Sequence, residues 1–351
     1  MSAQLHESLD PGARQAGKFP ARHVTAFGVG AAEGKCWLHR YSVWVASSTL
    51  ILIFIGGLVT STGSGLAVPD WPLSYGQFFP RMVGGILYEH GHRMAAATVG
   101  LLIVILALWL GKREPRKWVR LLGYLTVVAV ICQGVLGGIT VLLLLPPAVS
   151  VSHAALAEIV LCLTVAIAIA TSRGWQEATP HVEDGGTPSL RALTAATTGV
   201  IYVQILIGAL MRHTGSGMSI PDFPLSYGRL IPVLFTRQIL INYAHRIGAL
   251  VVAFLIVWVA FRILRRHPTE RALRTPACIL LFALSAQVTL GAETVWSGKG
   301  VVFTTLHVAG GAFTLATSLF LALTVRRIVL PPLDSRNVSA SAAGTAIEEI
   351  K

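Results

Sequence analysis

Glu89, His92 and Arg93 fall within five residues near the start of a long apolar stretch, and Asn242, His245 and Arg246 repeat that spacing 153 residues later. His153 and His307, 154 residues apart, stand near the starts of two further apolar stretches. A carboxylate takes protons or stabilises a cation, an imidazole serves as base or metal ligand, and a guanidinium grips carboxylates through paired hydrogen bonds. Ionisable groups at such depth cost roughly 2.5–3.5 kcal/mol each in hydrocarbon even on lenient insertion scales, so they face a bundle interior and mark function.

The elements that position them are apolar. Of the 351 residues, 54% are hydrophobic and 13% charged, with a mean hydropathy of +0.67; soluble domains carry about 25% charged residues. Apolar runs of spanning length, about 20 residues, lie near 42–60, 85–111, 121–145, 147–171, 192–211, 238–262, 276–294 and 301–325. The expected fold is an all-α integral membrane protein of eight transmembrane helices. The net charge of +12 comes largely from short loops such as Lys112 to Arg120 and Arg265 to Arg274. That pattern reads as positive-inside orientation in a lipid bilayer rather than as binding to nucleic acid, and it places both termini in the cytoplasm.

An internal repeat organises the chain. The stretch Thr62 to Gly76 returns as Thr214 to Gly228, 152 residues later, with eleven of fifteen positions identical and a shared Pro-Asp-aromatic-Pro-Leu-Ser-Tyr-Gly core. Each half holds an even number of helices, so both copies have one orientation, and the halves form two four-helix bundles related by a pseudo-twofold axis along the membrane normal. The divisions are a polar tail at 1–41, an N-terminal half at 42–171, a linker at 172–191, a C-terminal half at 192–325 and a tail at 326–351. The first tail lacks the apolar core of a signal peptide. The repeated loops read either as folded caps or as walls of a ligand site.

His92 and His153 in one half and His245 and His307 in the other begin the second and fourth helix of each bundle, at matching depth. Gln133/Gln287 and Gly137/Gly291 share the 154-residue offset. Two imidazoles facing each other across a bundle suit axial ligation of a haem iron; zinc wants a third or fourth ligand, and no Cys or carboxylate supplies one in the second half. Cys36, Cys132, Cys162 and Cys278 form no C-x-x-C-H attachment site. Arg93 and Arg246 either hold haem propionates or snorkel to the headgroups. The halves differ at Glu89, which has Asn242 as its counterpart, so chemistry is expected in the first half and a held cofactor in the second. His90 reads as interfacial, and Glu158, opposite Ala312 in the repeat, either as a packing group or as a proton carrier on the cytoplasmic side.

These residues resemble the heme A synthase family: an E-x-x-H-R run on the second helix, x-x-x-H-R on the sixth, histidines atop the fourth and eighth, and the duplicated loop. The resemblance covers about residues 42–325 and implies a bacterial inner-membrane oxidoreductase that converts the position-8 methyl of haem O to the formyl group of haem A for terminal oxidases. It implies haem b between His245 and His307, haem O near His92 and His153 with Glu89 essential, Arg93 and Arg246 as cofactor-binding residues, and haem O synthase and an electron-transfer protein as partners. Many bacterial members carry a cysteine pair in the loop after the first helix; residues 61–84 contain none. Two other classes fit less of the pattern: a bis-histidine cytochrome b for electron transfer, and a transporter of parallel repeats. Small-residue patterns at Gly134, Gly137 and Gly138 suit close helix packing, within one protomer or in a homo-oligomer.

Overall fold

The computed structural model describes residues 26–331. The helices are α1 (Ala26–Ser61), α2 (Gly85–Arg113), α3 (Lys117–Leu142), α4 (Pro147–Thr171), the short α5 (Arg173–Glu177), α6 (Leu190–His213), α7 (Arg237–Arg266), α8 (Arg271–Trp296) and α9 (Val301–Ile328). All but α5 contain a stretch long and apolar enough to cross a membrane, so the protein is a multi-pass membrane protein. Large apolar side chains cover the outside, with Leu101, Leu108, Phe254 and Phe282 all exposed. That is the arrangement expected where lipid replaces water as solvent.

Local chemistry sets the helix ends. Pro147 opens α4, where its missing N–H is no loss, and the Ser189 and Thr236 side chains accept the N–H of Ala192 and Ile239 to cap α6 and α7. Inside the bundles, Thr126, Thr164 and Thr197 bond back to carbonyls of their own helices. Their polar groups are thereby satisfied without water.

The neighbour pattern of the first half, α1 on α2 and α4 with α3 on α2 and α4, recurs in the second as α6 on α7 and α9 with α8 on α7 and α9. Between the halves α1 packs on α9, α6 on α4, and α4 on α9. The first two of these contacts exchange under the repeat and the third lies between them, which is the pairing a twofold relation requires.

Two expectations about the connecting segments change in detail. Residues 26–41 of the expected N-terminal tail are helical and continue α1, and α9 reaches Ile328; residues 1–25 and 332–351 lie outside the described residues. The 172–191 linker is packed against the C-terminal half. Val182 receives Leu330 N–H at 2.8 Å while His181 and Val182 donate to Ile328 O, and Asp184 forms an ion pair of 2.6 Å with Arg262.

Candidate functional site

The two repeated loops lie at the same end of the molecule, between α1 and α2 and between α6 and α7. Each is folded around its aspartate. Asp70 accepts the N–H of Tyr75 at 2.7 Å and of Gly76 at 2.9 Å; Asp222 accepts those of Tyr227 and Gly228, both at 2.8 Å. The tyrosine and glycine have positive φ, 54° and 69° in the first loop and 55° and 73° in the second, and such a turn uses a glycine where a Cβ would strain the backbone. Each tyrosine hydroxyl then closes the loop by donating to the carbonyl of Ala67 or Ser219.

The N–H groups of Gly76 and Tyr75 hold the Asp70 carboxyl below the usual carboxylate value. In the second loop the Gly228 N–H does the same to Asp222, opposed by desolvation and aided by Tyr227. A depressed pKa stabilises the loop fully above the unfolded value near 3.9, and the contribution is lost as pH falls through the lower folded value. Hydrogen exchange at Tyr75 and Gly76, corrected for intrinsic rates, is therefore expected to stay slow from pH 8 down to about 5 and to quicken only below about 4.

The loops are fastened to α2 and α7 by the charged residues singled out in the sequence. Arg93 donates to the carbonyls of Val68 at 3.0 Å, Asp70 at 2.8 Å and Leu73 at 3.0 Å, and to Glu89 Oε1 at 2.7 Å. Glu89, buried, accepts the Val68 N–H on Oε2 at 2.7 Å. In the second half Arg246 donates to Leu225 O, Ile220 O and Asn242 Oδ1, while Asn242 Nδ2 donates to the carbonyls of Ser216 and Gly217. The bonded N–H groups of both arginines are thus directed at the loops. Glu89 and Asn242 both accept from the arginine four residues on, but they hold their loops by different groups: Glu89 accepts the Val68 N–H, whereas Asn242 donates to the Ser216 and Gly217 carbonyls.

His90 is not interfacial: it is buried and bonds Ser74 Oγ through Nδ1 at 2.8 Å. A loop seryl group that points inward pulls the ring under the cap, a contact that helix position alone does not reveal.

Each of the four paired histidines lies against a glycine of the preceding helix. A Cβ at Gly56, Gly137, Gly208 or Gly291 would stand 3.1, 3.1, 3.0 and 3.1 Å from Cε1 of His92, His153, His245 and His307. The helices approach because no side chain separates backbone and ring. Gln204 and Gln133 support the arrangement: Gln204 Nε2 bonds His245 O at 2.7 Å and its Nδ1 at 3.0 Å, and Gln133 Nε2 donates to His153 O at 2.9 Å. The first-half counterpart of Gln204 is Leu52, so His92 Nδ1 is buried without a partner.

Gly208→Ala is expected to push the His245 ring aside. Overpacking of this kind costs about 1–3 kcal/mol, to be read as weaker binding of added haem and a change of ligand-field spectrum in the titrated protein.

In the second half the imidazole centroids of His245 and His307 are 6.4 Å apart, with ring planes at 76°. Two imidazole nitrogens about 2 Å from one metal, each about 1.1 Å from its ring centre, place centroids about 6.2 Å apart. The centroid separation of 6.4 Å is close to the one a shared metal would need. A metal at Nε2 requires the proton on Nδ1; Gln204 presents its Nε2 to that atom and to His245 O, so its Oε1 accepts an Nδ1 proton only if the amide turns over and gives up the bond to His245 O. Among the described residues no group of three or more His, Cys, Asp or Glu meets. Haem, which brings four nitrogens of its own, suits such a pair better than a bare ion does.

His92 and His153 lie within electrostatic range of each other, but among the described residues the ring contacts include the second-half pair and not the first. The loop contributes here. A Cβ on Gly138 would stand 2.6 Å from Trp71 Cδ2, so the Trp71 ring lies on α3 next to the glycine that backs His153. The repeat counterparts are Phe223 and Ala292, a smaller ring opposite a larger residue. The first loop thus reaches from its cap position down to α3 beside His153.

Fold and site together define a polytopic membrane protein with two histidine-lined bundles under repeated loop caps. Residues 84–319 match the COX15-CtaA family, described as cytochrome oxidase assembly protein, and the chain belongs to that family. Among its relatives, a protein named heme A synthase from Symbiobacterium thermophilum is 30% identical over 72% of this chain and 84% of its own length. Another of that name from Geobacillus kaustophilus is 27% identical over 88% of this chain and 99% of its own length.

Proposed function

We propose that the protein is a heme A synthase: a membrane oxidoreductase that takes haem O as substrate and oxidises its position-8 methyl, through the alcohol, to the formyl group of haem A. The relatives' name supports the activity. The observation that carries the assignment of sites is the inequality of the two halves. His245 and His307 stand at bis-ligation distance beneath a loop pinned by neutral Asn242, whereas the first-half pair lies under a loop pinned by the Glu89 carboxylate.

In this reading His245 and His307 hold haem b, which when bound supplies one-electron redox chemistry. Haem O lies in the first half near His92 and His153, with Trp71 as part of the wall. The methyl is oxidised twice, to the alcohol and then to a geminal diol that loses water to leave the aldehyde; where water supplies the oxygen, each oxidation releases two electrons and two protons, and an electron-transfer partner must accept the electrons. Glu89 is the group placed to accept a proton or to stabilise positive charge at the reacting carbon, and Arg93 keeps it in position. Arg93 and Arg246 serve the haems by holding the caps closed. The basic loops Lys112 to Arg120 and Arg265 to Arg274 face the cytoplasm, so both sites lie toward the outer leaflet.

The test is haemochrome analysis with chromatography of extracted haem on purified protein, alongside co-expression with a haem O synthase. One bound haem b and accumulation of haem A are expected. Two equivalent low-spin haems without haem A formation would instead make the protein an electron-transferring cytochrome.

A further inference from the structure

Arg212, at the loop end of α6, is a guanidinium with no acidic partner among the described residues. It donates to Ser61 Oγ at 2.8 Å and to Gly57 O at 3.4 Å, both on α1 across the seam between the halves. Both acceptors are neutral, and among the described residues the ion pairs of 4.0 Å or less do not include Arg212. Its charge reaches His307, and the adjacent His213 is within electrostatic range of His153. The repeat places Thr60 and Ser61 where the second half has Arg212 and His213, so the cation belongs to one half alone. None of its nitrogens is among the fully enclosed unpaired atoms, so its remaining N–H groups open onto accessible space.

An unpaired charge at this depth is costly unless an anion joins it. Arg93 and Arg246, the arginines nearest in sequence to paired histidines, are committed to the loops. We infer that Arg212 receives a propionate carboxylate of the haem held by His245 and His307, and through Ser61 and Gly57 ties occupancy of the second-half site to the position of α1 in the first half. This rests on the haem b reading above. A guanidinium offers a carboxylate two parallel N–H donors, stronger than neutral hydrogen bonds; the two bonds to α1 leave donors for it.

The experiment uses the full-length protein in nanodiscs, loaded with iron protoporphyrin IX or with its dimethyl ester, and follows release to excess apomyoglobin. Arg212→Gln, which keeps amide donors toward Gly57 and Ser61 but no charge, is expected to release the free-acid haem about tenfold faster than the wild type. The dimethyl ester should leave both proteins at the same rate. Equal release of the free acid, or a tenfold difference that persists with the ester, would overturn the inference. If the glutamine variant does not fold, Arg212→Lys must release the free acid faster than wild type and the ester equally; any other pattern overturns it too. A wild-type protein that binds no bis-imidazole haem fails the haem b reading itself, a result distinct from intact binding that is indifferent to Arg212.

Discussion

His245→Ala is expected to deplete the purified protein of its low-spin haem b, with occupancy at least about tenfold below wild type. The ring it removes is one of two whose centroids are 6.4 Å apart, and nothing in its surroundings substitutes. Gln204 offers an amide, and Asn242 is committed to the loop carbonyls of Ser216 and Gly217. Since His245 is not among the residues pinning the cap, the fold should persist, so added imidazole should restore part of the spectrum in the space the side chain vacates. Full retention of a bis-imidazole spectrum in the alanine variant would refute the assignment of the second-half pair. Absorbance and electron paramagnetic resonance on the same preparation decide it.

Glu89→Gln is expected to abolish haem A formation, by about 10²- to 10⁴-fold if the carboxylate acts as acid or base, while leaving the second-half haem untouched. Glutamine is the informative replacement because the protein contains its own control. At the equivalent place in the repeat, neutral Asn242 accepts from Arg246, so an amide oxygen can serve the arginine, and the glutamine Oε1 keeps an acceptor for the Arg93 guanidinium or the Val68 N–H that Glu89 holds. Alanine would confound the two roles, because Glu89 accepts both the Val68 N–H and the Arg93 guanidinium. A glutamine variant with wild-type turnover would make Glu89 a loop pin only. A variant that loses activity together with loop protection at Tyr75 and Gly76 would point to the cap rather than to proton chemistry.

Much of this was legible because the governing physics is local or periodic. Spanning helices follow from runs of about 20 apolar residues, and the eight runs correspond to the eight long helices with ends shifted by a few residues, except at the start of α1, which begins at Ala26 rather than near residue 42. The fixed offsets brought out the histidine pairs, the shared glutamine and glycine of α3 and α8, and the exchange of Glu89 for Asn242. Offsets report equivalence, though, and not contact. His90 and Ser74, 16 residues apart, meet only because the loop folds back. Gln204 could not be matched to His245 by repetition, since Leu52 stands in its place.

The sequence by itself determined a membrane-spanning, duplicated helical protein with four histidines at one depth and one unduplicated carboxylate, because hydrophobic length, repeat spacing and residue chemistry are properties of the chain alone. Only the tertiary structure decided what the charges are bonded to. It turned Arg93 and Arg246 toward loop carbonyls, set Glu89 between Val68 and Arg93, brought the His245 and His307 ring centroids to 6.4 Å, and set Arg212 against Ser61 and Gly57 at the seam. Those outcomes depend on how segments distant in the chain pack against each other, and buried polar groups take whichever partners that packing delivers.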